Sequence, residues 1–178
     1  MKGMTDWKHD GVRVIPAGSL DTNTAQTPGM NRAAAINFAR VGAQKLWAGT
    51  VTIHAHTKTG AHHHGHLESV IYVVKGRARM RWGDKLQFIA EAGPGDFIFV
   101  PPFVPHQEIN ADPDAELHCV LARSGQDAIV VNLDIDGAGA RAVDRGGAVH
   151  PRRLRGISVE GSRRDDRYSV GAPAPVHS

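Results

Sequence analysis

Residues 62–76 read HHHGHLESVIYVVKG, and residues 95–110 read GDFIFVPPFVPHQEIN. Four histidines crowd the first stretch, at His62, His63, His64 and His66, and a single one, His106, stands near the end of the second. On an extended chain alternate side chains share a face, so His62 and His64 project together and His63 goes the other way. Two imidazoles so placed form a natural pair of metal ligands, and neutral imidazole suits Fe, Mn, Ni, Cu or Zn rather than Ca or Mg. Glu68 offers a carboxylate shortly after the pair. His106 brings a further donor from a separate strand, an arrangement that suits the interior of a small barrel. The plainer reading of the first stretch is an exposed His-rich loop that takes up metal adventitiously. The second stretch is what weighs against it.

On either side the chain is a series of short strand-like runs broken by turn residues. The runs are Val12–Ile15, Leu46–Thr57, Val70–Val74, Arg77–Trp82, Leu86–Ala90, Asp96–Val100, His106–Asn110, Leu117–Arg123 and Ile129–Ile135. Gly76, Gly83-Asp84, Gly93-Pro94-Gly95, Pro101-Pro102 and Asp112-Pro113 punctuate them. In Leu46–Thr57, residues Trp47, Val51, Ile53 and Ala55 fall on one face; in Arg77–Trp82, Ala78, Met80 and Trp82 lie opposite three arginines. Ala33–Val41 admits either a helical turn or a strand, and Ser19–Met30 reads as a loop. Many short strands at this spacing predict an all-β sandwich or barrel.

The chain has 178 residues, 41% hydrophobic and 22% charged, which fits one ordinary globular core. No apolar run approaches the roughly 20 residues of a membrane span, and the first residues lack the apolar core of a secretory signal. The expectation is a cytoplasmic protein with no membrane partner. The lone cysteine, Cys119, excludes an internal disulfide framework, and its parity with Leu117 and Leu121 reads as a buried structural thiol. The net charge of +3 comes from residues 136–178, with eight arginines against five acids; residues 1–135 balance at thirteen of each sign. A balanced domain carries no electrostatic footprint for nucleic acid. The expected organisation is a flexible 1–10, a β-barrel domain over 11–135, and a Gly/Arg/Pro-rich, largely disordered tail over 136–178.

The two stretches resemble the paired motifs of the cupin superfamily. The first runs His62-x-His64, then Glu68, then Gly76; the second runs Gly95, then Pro101, then His106, then Asn110. The resemblance implies a double-stranded β-helix, or jelly roll, holding a metal by two His, one Glu and one His: here His62, His64, Glu68 and His106. Two departures matter. Seven residues separate Glu68 from Gly76 where the family has six, so counting back from Gly76 reaches Ser69. Either a one-residue bulge turns Glu68 inward, which its distance from His64 favours, or His66 substitutes in a four-histidine site. In the second motif Phe103 stands where the family has glycine, at a turn expected to rely on its prolines and at the mouth of the pocket.

Parity adds candidates. If His106 points inward, so do Glu108 and Asn110. Glu108 is then a candidate general base beside the metal, against the reading of a surface carboxylate on an edge strand. Phe103, Asn110 and Tyr72 are candidate pocket residues, with a half-exposed strand face as the rival reading of Tyr72. Apolar walls are expected from Ile71, Val73 and either Phe97 or Phe99. The resemblance implies a metal-dependent enzyme acting on a small organic molecule, with oxygenase-type chemistry preferred and Fe or Mn the favoured ion over Ni, Cu or Zn. A non-catalytic metal or small-ligand binding module is the alternative, and a sugar-phosphate isomerase or lyase the second. A homodimer is implied by analogy only.

Overall fold

The computed structural model describes residues 6–135 and the backbone of 141–142. Nearly all of its regular structure is strand: β1 Met30–Ile36, β2 Trp47–Ile53, β3 His62–His63, β4 Ser69–Lys75, β5 Ala78–Trp82, β6 Phe88–Ala92, β7 Phe97–Val100, β8 His106–Asn110, β9 Leu117–Arg123, β10 Val131–Asn132 and β11 Arg141–Ala142. They form a five-stranded sheet ordered β1-β2-β9-β4-β7 and a six-stranded sheet ordered β10-β3-β8-β5-β6-β11. Every pairing is antiparallel except β11 on β6, where Arg141 and Ala142 run alongside Phe88 and Ile89. Two sheets exchanging successive strands in this way make the double-stranded β-helix.

The core follows from period-two alternation. β9 turns Leu117, Cys119, Leu121 and Arg123 inward, and β4 turns Ser69, Ile71 and Val73 inward. The ladders align these rows, so Val73 faces Cys119, Ile71 faces Leu121 and Ser69 faces Arg123. Met30, Val51, Ile53, Ala78, Met80 and Val100 complete the apolar cluster. Full burial of a side chain such as Leu117 or Val73 contributes about 1.5–3 kcal/mol. Cys119 is buried, and desolvation with the nearby Glu108 charge pushes its thiol up to about 12, so it packs rather than reacts.

Several expectations change. Val12–Ile15 is not a strand; none of the described residues pairs with it, and Val12 and Val14 lie in solvent. Alternation over four residues names a face without supplying a surface to cover it. The ambiguous Ala33–Val41 divides: β1 ends at Ile36, and a helical turn over Phe38–Val41 follows. The Asn37 side chain caps that turn by accepting from the Arg40 N–H at 2.8 Å, and Gly42, at φ 70°, ends it. Only Val131–Asn132 pairs within the run expected over 129–135. The N-terminal ten residues include a helical turn, Trp7–Asp10. The expected disordered tail from 136 lies outside the described residues, apart from the β11 pairing.

On the outer face of the five-stranded sheet, Phe97 and Phe99 are exposed and Tyr72 stacks on Phe97 with ring centroids 4.8 Å apart. Phe97 and Phe99 therefore do not wall the interior; Ile71 and Val73 do, with Ile98 and Val100 from β7.

Candidate metal centre

His62 lies on β3 and pairs across the ladder with His106 at the start of β8, and Trp82 on β5 flanks His106 from the other side. His64 follows two residues after His62, so all three imidazoles turn inward and are buried. Their ring centroids are 4.4, 4.9 and 5.2 Å apart. Glu108, two residues along β8 from His106, shares that inward row and is also buried. Ligand atoms of His62, His64, His106 and Glu108 all lie within 4.8 Å of one another.

The backbone fixes the tautomers. His62 Nδ1 lies 3.0 Å from the Gly60 carbonyl, His64 Nδ1 2.8 Å from that of Ile129, and His106 Nδ1 2.9 Å from that of Val104. A carbonyl oxygen only accepts, so each Nδ1 carries its proton and each Nε2 presents a lone pair. This is how second partners orient histidine ligands in metal sites. His106 Nε2 is buried with no hydrogen-bond partner. Burial, aided by the Arg123 charge, pushes His64 down to about 3, and burial also lowers His106. Both are therefore neutral donors at ordinary pH. Three imidazoles, each with its Nδ1 held on a backbone carbonyl, and one carboxylate at this spacing fit a divalent transition ion.

The other candidates fall elsewhere. Glu68 is exposed on the approach to β4, where its N–H donates to the Ser124 hydroxyl at 3.0 Å. The bulge that would turn it inward is at the far end of the strand, between Val73 and Lys75. The extra residue before Gly76 is absorbed there, and Ser69, not Glu68, takes the inward position. The correction is that β8 rather than β4 brings a carboxylate to the cluster. His66 is exposed and outside the cluster, and His63 turns back to accept from the Gly65 N–H at 3.0 Å. Tyr72 lies on the outer sheet face rather than in the interior. Asn110 does face inward, but its side chain is engaged with the Ile53, His54 and Ala115 carbonyls and the Asp112 N–H. It ties a loop and is not free for a ligand.

Phe103 keeps the backbone of the glycine it replaces. Its φ is 59°, in the left-handed region, while its N–H donates to the Gly65 carbonyl at 2.7 Å. The exposed ring sits 6.0 Å from that of His63, on the loop beside the cluster. A bulky residue in that conformation carries local strain.

Two residues that alternation could have flagged are Arg32 and Arg123. Each occupies an inward position on an otherwise apolar row, and each is buried. Arg123 Nη2 comes within 3.5 Å of His64 Nε2, and its guanidinium lies 5.9 Å from the Trp47 ring centroid. Glu108 also borders an apolar cavity of about 20 Å³ lined by Ile71, Met80, Leu117, Cys119 and Leu121, room for about one water.

Comparison with known proteins agrees with this architecture. Residues 49–122 match the family described as Cupin domain. The polyketide cyclase RemF of Streptomyces resistomycificus superposes with a TM-score of 0.59 at 21% identity, over 71% of this chain and 89% of its own. A Klebsiella pneumoniae protein with a double-stranded β-helix domain gives 0.53 at 15% identity, over 69% and 98%. The Mn(II)-containing oxalate decarboxylase of Bacillus subtilis gives 0.51 at 17%, over 61% of this chain and 29% of its own. At these identities the likeness is one of fold. No curated protein matches the chain. The matched segment runs from within β2 to within β9, contains the histidine cluster and lies in a double-stranded β-helix: over residues 49–122 the chain is similar to the Cupin domain family, and it has that family's fold.

Proposed function

We propose that the protein is a metal-dependent enzyme acting on a small organic molecule, with His62, His64, His106 and Glu108 holding one divalent transition ion. The observation that carries this reading is the convergence of four buried residues whose ligand atoms lie within 4.8 Å of one another, three of them imidazoles whose Nδ1 is held by a backbone carbonyl. A surface loop that gathers metal by accident has no reason to bury its imidazoles or to order their Nδ1 protons. A site of three imidazoles and one carboxylate suits Fe or Mn, and such an ion supplies Lewis-acid or dioxygen chemistry at positions the protein leaves open. Oxygenase-type turnover is the activity we favour.

The residues of the chain divide the remaining work. His62, His64 and His106 bind the ion through Nε2 while their Nδ1 protons stay on backbone carbonyls. Glu108 brings the anionic ligand; its place within the cluster favours that role over a free general base. The aliphatic wall of Ile71, Leu121 and Met80 keeps bulk water from the inner side of the site, which strengthens electrostatic contacts made there.

The test is oxygen uptake by protein purified without an affinity tag and loaded with Fe(II) or Mn(II), across small phenols, diketones and thiols. Turnover of one of these compounds is expected. His64→Ala should abolish it by at least about 10²-fold through loss of a ligand, and His63→Ala should leave it intact. If no compound is turned over with Fe, Mn, Ni, Cu or Zn and one of them binds tightly, the protein is a binding module instead.

A further inference from the structure

The buried charges of the barrel do not balance. Arg32 is 8% exposed and Arg123 9%, yet neither forms an ion pair with a carboxylate among the described residues. Glu108 is the one buried acid to set against them among those residues. A divalent ion at the cluster would widen the positive excess. Uncompensated buried charge is strongly unfavourable, so such guanidinium groups are found where an anion completes them.

Unused hydrogen-bonding capacity accompanies these charges. The Nε atoms of Arg32 and Arg123 and the Ser69 hydroxyl are buried without a hydrogen-bond partner. Ser69 stands directly opposite Arg123 in the β4–β9 ladder, at the inward position that the first motif reserves for a carboxylate. Arg123 reaches within 3.5 Å of His64 Nε2, the lone pair offered to the ion. Trp47, its ladder neighbour on β2, lies under the guanidinium. Burial first, and then the charge of Arg32, lower Arg123 to about 10, which leaves it cationic and the two arginines mutually repelling.

We propose that Arg123, with the Ser69 hydroxyl, forms a carboxylate-binding subsite beside the cluster, so that the substrate is a small organic acid. The planar guanidinium fork matches a carboxylate, and a hydroxyl across the ladder adds a further donor. The acid group supplies the missing negative charge, and a second oxygen of the same molecule is then carried to the metal. The proposal rests on the reading of His62, His64, His106 and Glu108 as a metal site, and it narrows that reading to an acidic substrate class.

The experiment follows the Arg123 Nε–H signal by NMR in Zn(II)-loaded and in metal-free protein, titrated with acetate and with its neutral isostere acetamide; Arg123→Lys assigns the signal. Acetate should shift it saturably in both forms and acetamide in neither. Arg123→Met should retain one Zn(II) per chain and bind acetate at least about tenfold more weakly, the scale of a lost charge-assisted hydrogen bond; Ser69→Ala should weaken it less. Unchanged acetate affinity in Arg123→Met, equal binding of acetamide, or loss of Zn(II) from Arg123→Met with the fold intact would overturn the subsite. If wild-type protein retains no Zn(II), the metal reading fails by itself. The metal-free titration then decides the subsite: a saturating shift upholds it, and no shift overturns it.

Discussion

The two ends of the barrel interior are built by the same strands and do opposite things. Toward one end the inward rows of β9 and β4 carry Leu117, Cys119 and Val73, part of the apolar cluster. Toward the other the same rows finish in Arg123 and Ser69, and the facing sheet contributes His62, His64 and His106. The first end packs by apolar contact, and on its ladder row Arg32 Nε is the one buried side-chain atom without a partner among the described residues. The second gathers buried atoms without partners: His106 Nε2, Ser69 Oγ and Arg123 Nε. One rigid scaffold thus gains its stability from apolar burial at one end and offers its unsatisfied donors and acceptors at the other, where a ligand can use them.

That division is broken most severely by exchanging which end is damaged. Leu117→Ala should cost about 3 kcal/mol through lost transfer energy and a residual cavity, read as a lower urea midpoint, while the folded fraction binds metal as before. A metal affinity that falls in step with stability would show that the ends are not separable. Next in size is the contrast between two carboxylates. Glu108→Gln should weaken metal binding by about 10²-fold, as expected for loss of an anionic ligand, and Glu68→Gln should change nothing in a competition titration against a chelator. The reverse result would restore Glu68 to the site.

What the sequence made legible follows the same division. The strands His106–Asn110 and Leu117–Arg123 have the bounds that alternation predicts; each is central in its sheet, and in Leu117–Arg123 burial on one face enforces the parity. Glu108 was visible by parity with His106. The motif spacing pointed instead to Glu68, since spacing alone does not say where along β4 an extra residue is absorbed. Only the ladder shows the bulge beyond Val73. Arg32 and Arg123 were legible in principle, as charges on apolar rows, but a charged residue in a strand is ordinarily read as solvent-facing. Val12–Ile15 misled because a run of β-branched residues needs a partner strand that local sequence does not reveal.

Acid should act on the polar end before the apolar one. His64, lowered to about 3 in the fold against 6.5 unfolded, stays neutral while the unfolded chain takes up a proton. The unfolded state therefore binds more protons between those values, and stability falls as pH drops through that window. The slope is about 1.4 kcal/mol per pH unit for each histidine so buried, with His106 acting in the same direction. Urea midpoints of metal-free protein from pH 7 to pH 4 check this; His64→Ala should flatten the profile, and an unchanged profile would contradict the burial of a neutral imidazole. The smallest effect concerns the turn at the site's rim. Phe103→Gly relieves a left-handed backbone strain of about 1 kcal/mol and gives back about half of it in chain entropy. A gain near 0.5 kcal/mol, with metal content unaltered, is expected in thermal unfolding.

Metal content per chain, measured by plasma mass spectrometry on protein purified without an affinity tag, tests the central claim most directly. The account predicts close to one Fe or Mn per chain in the wild type and in His63→Ala, and less than about a tenth of that in His106→Ala, which loses a ligand from the second segment. A wild type that holds no transition metal even after reconstitution, or a His106→Ala protein that keeps its full complement, would contradict it.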